Sequence, residues 1–235
     1  MAKILKQQLE ELGIDLKEIE NIESEETGMK EVELKVPKLS KVQKEVNKYG
    51  KIINKYPYIN EDGEVLYEIH KMENAPEPYY VARPSEDGAY KYGLGKIKII
   101  PYNLPEILEA KGKKEIIIVT EGESKADCFS NLGYASTTAP FTGAEKWLSR
   151  FNKYLKYANV LVIADNDDEG RAFAETTFET ISDVAKNIAV LHLEEIYPDL
   201  KEGGDIEDLQ EIVNNDEKLI GILDEAINEL LSEEE

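Results

Sequence analysis

The chain of 235 residues predicts an α/β fold, a parallel sheet with helices on both faces, preceded by a smaller β-rich subdomain. Three observations predict it. Residues 115–119 (EIIIV) and 159–164 (NVLVIA) are short and rich in Ile and Val, with apolar residues facing both sides. That is the pattern of strands covered on both faces of a parallel sheet. Strand-like and helix-like stretches then alternate from residue 115 to residue 213, which requires crossover connections. Finally, residues 56–102 change to short alternating segments broken by Asp-Gly pairs, a hairpin pattern.

Taken in order, residues 1–55 read as helices and linker. LKQQLEELGIDLKEIENIE has apolar residues at helical spacing with a break at Gly13, residues 24–40 are polar, and residues 41–53 open another helical stretch. Residues 56–110 form the β-rich part. Two strands joined by Glu61-Asp62-Gly63 are followed by a second pair around Glu86-Asp87-Gly88. Tyr56, Tyr58, Tyr67, Tyr79, Tyr80, Tyr90 and Tyr92 make this part aromatic. Interleaved with Arg83, Lys91 and Lys96 they would suit stacking on bases and phosphate contacts, although packing on a half-buried sheet explains most of them as well.

Residues 111–213 carry the alternation. The strands are 115–119, 134–138, 159–164 and 188–193. The helices are 124–132, stopped by Gly133, then 144–156, 169–185 and 205–213. Residues 214–235 read as an acidic, solvated helix and frayed tail, whose removal after Val213 should leave activity intact.

Composition excludes several classes. A single cysteine, Cys128, inside an expected helix, rules out a disulfide framework and a cysteine zinc site. The first residues are charged and amphipathic, with no apolar signal core, and no run reaches membrane-span length, so a cytoplasmic protein without membrane contact is expected. The net charge of −21 argues against phosphate binding at first sight, but residues 194–235 hold sixteen acidic and two basic side chains. Most of the excess is therefore confined to one stretch. His70 and His192 fall in strands without a metal-ligand partner at useful spacing and read as structural.

The chemistry gathers at strand ends. The first covered strand runs into Glu121, then Gly122 and a helix start; the third ends on Asp165, with Asp167 two residues later. In open α/β sheets, sites form just beyond the carboxyl ends of the strands, so these three acids should converge. Clustered carboxylates repel unless a cation neutralises them, and an all-oxygen set suits Mg²⁺ or Mn²⁺. The plainer reading makes Glu121 a helix cap and residues 165–169 an acidic helix start. Thr137, Thr138 and Thr142 could offer hydroxyls to a phosphate. Asp205, after Gly203-Gly204, is either a further acid of the site or the N-cap of IEDLQEI.

The glutamate after the first strand and the Asp165-Asn166-Asp167 triplet after the third resemble the Toprim domain over residues 116–209. That domain is shared by bacterial-type primases, type IA and II topoisomerases, OLD-family nucleases and recombination-repair proteins. A wider likeness, over residues 56–209, is to the primase segments of bacterial, phage and plasmid primase and primase-helicase proteins. It rests on Asp62-Gly63, Lys91-Tyr92, the opening at residues 101–105, the Glu121-Gly122-Glu123 motif, a small-residue stretch leading to Trp147, the Asp-x-Asp and Gly204-Asp205.

The resemblance implies a Toprim-like sheet and Mg²⁺- or Mn²⁺-dependent nucleotidyl transfer from NTPs on a single-stranded DNA template. It implies Glu121, Asp165 and Asp167 as catalytic residues, these three with Asp205 as metal ligands, and Arg83, Lys91, Lys96, Lys125 and Arg171 as contacts to nucleic acid or NTP. A replicative helicase would be a partner, on another chain or in a missing region, since no Walker-A motif is present. Three features depart from the pattern: no zinc-ribbon cysteines, Ser124 where a basic residue is usual, and no cleavage domain of the topoisomerase kind. A metal-dependent Toprim nuclease and a non-catalytic Toprim adaptor are the alternatives.

Overall fold

In the computed structural model of the chain, residues 51–75, 78–85, 90–93, 95–140 and 147–232 are described. They belong to two compact units, Met1–Pro105 with Pro140–Gly143, and Glu106–Ala139 with Ala144–Glu235. The expectations for residues 1–50, for the turn at Glu86-Asp87-Gly88 and for Thr142 lie outside the described residues.

The first unit is an antiparallel sheet of β1 (Ile52–Ile59), β2 (Val65–Met72), β3 (Tyr79–Pro84) and β4 (Tyr90–Tyr92), each strand beside its neighbour in the chain. It starts inside the stretch read as linker, because pairing with β2 continues back to Ile52 opposite Met72. The β1–β2 turn is built by Asn60, whose side-chain oxygen accepts from the backbone N–H of Asp62 (3.0 Å) and Glu64 (2.8 Å), with Gly63 at φ +83°. Such an Asx turn needs a glycine where the chain swings left-handed.

The tyrosines are core. Tyr58 and Tyr67 are cross-strand partners stacked at 4.5 Å, and Tyr56, Tyr80 and Tyr92 are also buried. Each ring removes a large apolar area from water, and for these five the packing explanation holds over base stacking. His70 is fully buried between Glu68, whose Oε2 lies 2.5 Å from Nε2, and the Tyr92 hydroxyl, 3.1 Å from Nδ1.

Helix α1 (Leu104–Lys113) leads into the second unit's sheet. Its strands β5 (Ile116–Val119), β6 (Ala135–Thr137), β7 (Asn159–Ala164) and β8 (Asn187–His192) are all parallel, in the order β6-β5-β7-β8. The connecting helices are α2 (Glu123–Asn131), the short α3 (Asn152–Leu155), α4 (Asp168–Ser182), α5 (Leu193–Ile196), α6 (Ile206–Val213) and α7 (Asp216–Ser232). The expected parallel α/β sheet and smaller antiparallel β subdomain are both present.

Two elements differ from expectation. Of the helix expected over 144–156, residues 144–146 lie outside the described residues, and the rest is a 3₁₀ turn (Ser149–Phe151) followed by α3, with Leu148 extended. Buried Trp147 packs edge-on against Phe151 at 5.6 Å and donates to Asn152, which holds the chain in this tighter path. The second difference is α7, read as a solvated acidic helix. Leu219, Leu223, Ala226 and Ile227 are buried in one cluster with Ile118, Phe129, Leu161, Ile163 and Leu191. Their spacing of three and four residues gives the helix an apolar stripe, so α7 closes the core of the second unit.

Candidate active site at the carboxyl edge of the parallel sheet

Strand β5 connects through α2 to β6 on one side, and the chain then returns to place β7 on the other. The crevice beyond the ends of β5 and β7 is thus the topological switch point, where open α/β sheets bind ligands. Glu121 follows β5 by two residues and Asp165 directly follows β7. Gly122, at φ +87°, turns the chain from β5 into α2, a conformation costly for any residue with a Cβ. Its N–H donates to Thr138 Oγ1 at 3.1 Å. Thr137 and Thr138 are buried behind this turn, so Thr138 braces the loop of Glu121.

Asp165 is held from below by Gly170. A Cβ at Gly170 would stand 2.7 Å from both the backbone N and O of Asp165, so only glycine lets the first turn of α4 lie on this strand end. Asp167 is the N-cap of α4, its Oδ1 accepting from Gly170 N at 2.6 Å. The plainer capping reading is therefore true of Asp167, whatever else its second oxygen does.

Asn166, between the two aspartates, ties in the loop before α6. Its N–H donates to Gly204 O (2.9 Å), its carbonyl accepts from Gly203 N (2.7 Å), and its side-chain amide donates to Leu200 O (2.9 Å) and Lys201 O (3.1 Å). These bonds bring Asp205 alongside Asp165. Asp205 caps α6, with Oδ1 accepting from Glu207 N and Asp208 N, and Asp208 returns the bond to Asp205 N.

The two carboxylates share one cation. Lys125, in the first turn of α2, donates from Nζ to Asp165 Oδ2, and the same nitrogen lies 3.6 Å from Asp205 Oδ2. Asp165 is only 4 % exposed, and its Oδ1 is buried with no hydrogen-bond partner. Burial pushes the Asp165 carboxyl up to about 7, against the lowering pull of Lys125 and with Glu121 and Asp205 adding to the rise. Glu121 is also raised, first by burial and then, against Lys125, by Asp167 and Glu169. For Lys125, burial works to lower the pKa, but Asp165, Asp205 and Glu121 outweigh it and the net direction is up.

The chemistry of this set fits a hard divalent cation. All donors are carboxylate oxygens, and one of them is buried and unpartnered. As placed, no three His, Cys, Asp or Glu side chains among the described residues are gathered closely enough to hold a metal ion. Lys125 stands among them instead.

The remaining expected site residues are distributed as follows. Arg171 donates to Asp168 (3.0 Å) and Glu194 (3.1 Å). Arg83, Lys91 and Lys96 belong to the antiparallel unit. Arg83 and Lys91 are cross-strand partners, with Arg83 Nε donating to Gly93 O at 2.8 Å, while Lys91 and Lys96 are exposed. Sequence reasoning missed the supporting work of Gly170 and Asn166. The Gly after the acidic loop and the Asn inside the Asp-x-Asp were its available signals.

No family model matches the chain, and no curated protein matches it. Several solved structures are similar in fold. One is a DnaG catalytic core (18 % identity, TM-score 0.48, covering 72 % of this chain and 55 % of that one). Another is a DNA primase domain from Pseudomonas aeruginosa (18 %, 0.47, 67 % and 46 %). A third is a DnaG primase catalytic domain bound to ssDNA (17 %, 0.47, 89 % and 70 %). The chain thus spans about half the length of the first two. Among the described residues no helix is long and apolar enough to cross a membrane.

Proposed function

We propose that the chain is the Toprim-containing catalytic part of a primase-type nucleotidyltransferase, using Mg²⁺ or Mn²⁺ to extend a 3′-hydroxyl on a single-stranded DNA template. The observation that carries this reading is the buried, unpartnered Asp165 Oδ1 at the switch point, with Asp205 drawn in beside it by Asn166. A buried carboxylate oxygen whose lone pairs have no partner is costly unless a cation completes it.

Glu121, Asp165 and Asp205 would hold the ion, with Asp167 as a further ligand through the oxygen not used for capping. When bound, the ion would neutralise triphosphate charge and align an in-line displacement. Glu121 would take the proton from the attacking 3′-oxygen through the carboxylate oxygen that the ion does not use. As the new bond to the α-phosphorus forms, the bond to the bridging oxygen breaks and pyrophosphate leaves. Lys91 and Lys96 would meet template phosphates. Arg171 would hold Asp168 at the start of α4 and Glu194 in α5, and contact the triphosphate. A replicative helicase would deliver the template.

The test is incubation with single-stranded DNA, labelled NTPs and Mg²⁺ or Mn²⁺. Metal-dependent synthesis of short oligonucleotides, lost by at least about a hundredfold in Asp165→Asn and Glu121→Gln, is the expected result. Degradation of the template by the same acids would make the protein a nuclease. Binding without either reaction would make it an adaptor.

A further inference from the structure

Lys125 is poorly placed for a lysine whose first task is to meet a nucleotide. Its side chain is 17 % exposed, its Nζ is on Asp165 Oδ2, and Asp205 Oδ2 is 3.6 Å away. Glu121 adds its field to the same ammonium. Two carboxylates from different strand-end loops thus converge on one positive charge that arrives on a third element, α2. Beside it, Asp165 Oδ1 stays buried and unpartnered. Lys125 completes Oδ2 with a hydrogen bond and leaves Oδ1 without one.

A divalent ion held by oxygens at about 2 Å could not share Asp165 Oδ2 with an ammonium. Two positive charges a few ångströms apart in a poorly solvated site repel strongly. The lysine has a flexible four-carbon stem and a partly open flank, so it can leave.

We propose that Lys125 is an internal counter-ion that holds the cation position of the metal-free protein and competes with the divalent ion for Asp165 and Asp205. The centre then has two states, neutralised by the ammonium or by the metal, and Lys125 sets the metal concentration at which it switches. This rests on the reading that these acids bind a divalent ion.

The experiment measures Mn²⁺ binding to the full chain by the EPR signal of the free ion, with thermal unfolding alongside, in the unsubstituted protein, Lys125→Met, Lys125→Arg and Asp165→Asn. The expected result is about tenfold or more tighter Mn²⁺ binding in Lys125→Met. That variant also melts lower than the unsubstituted protein without Mn²⁺ and gains more on adding it. Lys125→Arg keeps the charge and stays near the starting affinity. If Lys125→Met does not fold alone, Mn²⁺ should restore its fold where sodium chloride does not, and failure to do so overturns the proposal. Equal or weaker binding in Lys125→Met than in the unsubstituted protein also overturns it, while leaving the metal reading standing. If no variant binds Mn²⁺, or Asp165→Asn binds it undiminished, the metal reading falls and this inference with it.

Discussion

His70 shows how one residue can make stability depend on pH far from any active chemistry. It is fully buried, and burial lowers its pKa despite the opposing bond to Glu68. The groups facing it are Glu68, the hydroxyl of Tyr92, the edge of Tyr90 at 4.6 Å and, by its charge, Lys55. The unfolded chain binds the proton near pH 6.5, whereas the folded chain resists it to lower pH. Stability is therefore fully present above about pH 6.5 and is lost as pH falls through that value. Urea unfolding of β1–β3 followed by tyrosine near-UV dichroism should show a slope between pH 7 and pH 5. His70→Asn should be less stable at pH 7 and flatter across that range. Nine of the thirteen tyrosines lie in this unit, so it dominates the tyrosine signal, whereas the tryptophan, Trp147, lies in the other. At the same scale, the partners of Lys125 were not legible in the sequence, because they stand 40 and 80 positions away and are set by sheet order, which local spacing does not encode.

At the scale of elements, the covered strands were legible because burial on both faces leaves a run of Ile and Val that little else produces. The N-cap at Asp205 and a helix start within residues 165–169 were legible for the same local reason, since capping acts over three residues. Helix α7 was not. Its acidic residues dominate the text, and the stripe Leu219, Leu223, Ala226 and Ile227 is hidden among them. Removing residues after Val213 would strip that cover from Leu161, Ile163 and Leu191. Truncation is therefore expected to unfold the second unit, contrary to the expectation from charge alone. Leu223→Ala should cost about 2–4 kcal/mol in urea denaturation followed by Trp147 fluorescence. An effect below 0.5 kcal/mol, the range about a surface change gives, would return α7 to the solvent.

For the whole molecule, charge is the quantity that matters. Residues 194–235 carry most of the −21, and α7 fixes a share of it to the core. Any polyanion must approach against that field, which added salt screens, so the attraction and its salt-dependent loss must come from local lysine contacts. Lys91→Ala with Lys96→Ala is the sharper probe. Both are exposed, whereas Arg83 also supports the chain at Gly93, so replacing it would confound binding with folding. The double variant should bind single-stranded DNA more weakly and lower the slope of log affinity against log salt by about 1–2. An unchanged slope would take these lysines off the binding surface.

The two strand orders carry a consequence in time. In the sheet β1-β2-β3-β4 every strand pairs with its immediate successor, so each step closes a short loop. In β6-β5-β7-β8, β5 must wait for β7, whose pairing begins with Ile116 against Asn159, forty-three positions later. Loop closure over such separations slows folding. As the chain leaves the ribosome, the meander can complete itself while the crevice between β5 and β7 does not yet exist. The acids of that crevice meet only after their second strand has been synthesised, so the costly approach of like charges is deferred to the end of folding, when Lys125 is already on its helix to receive them.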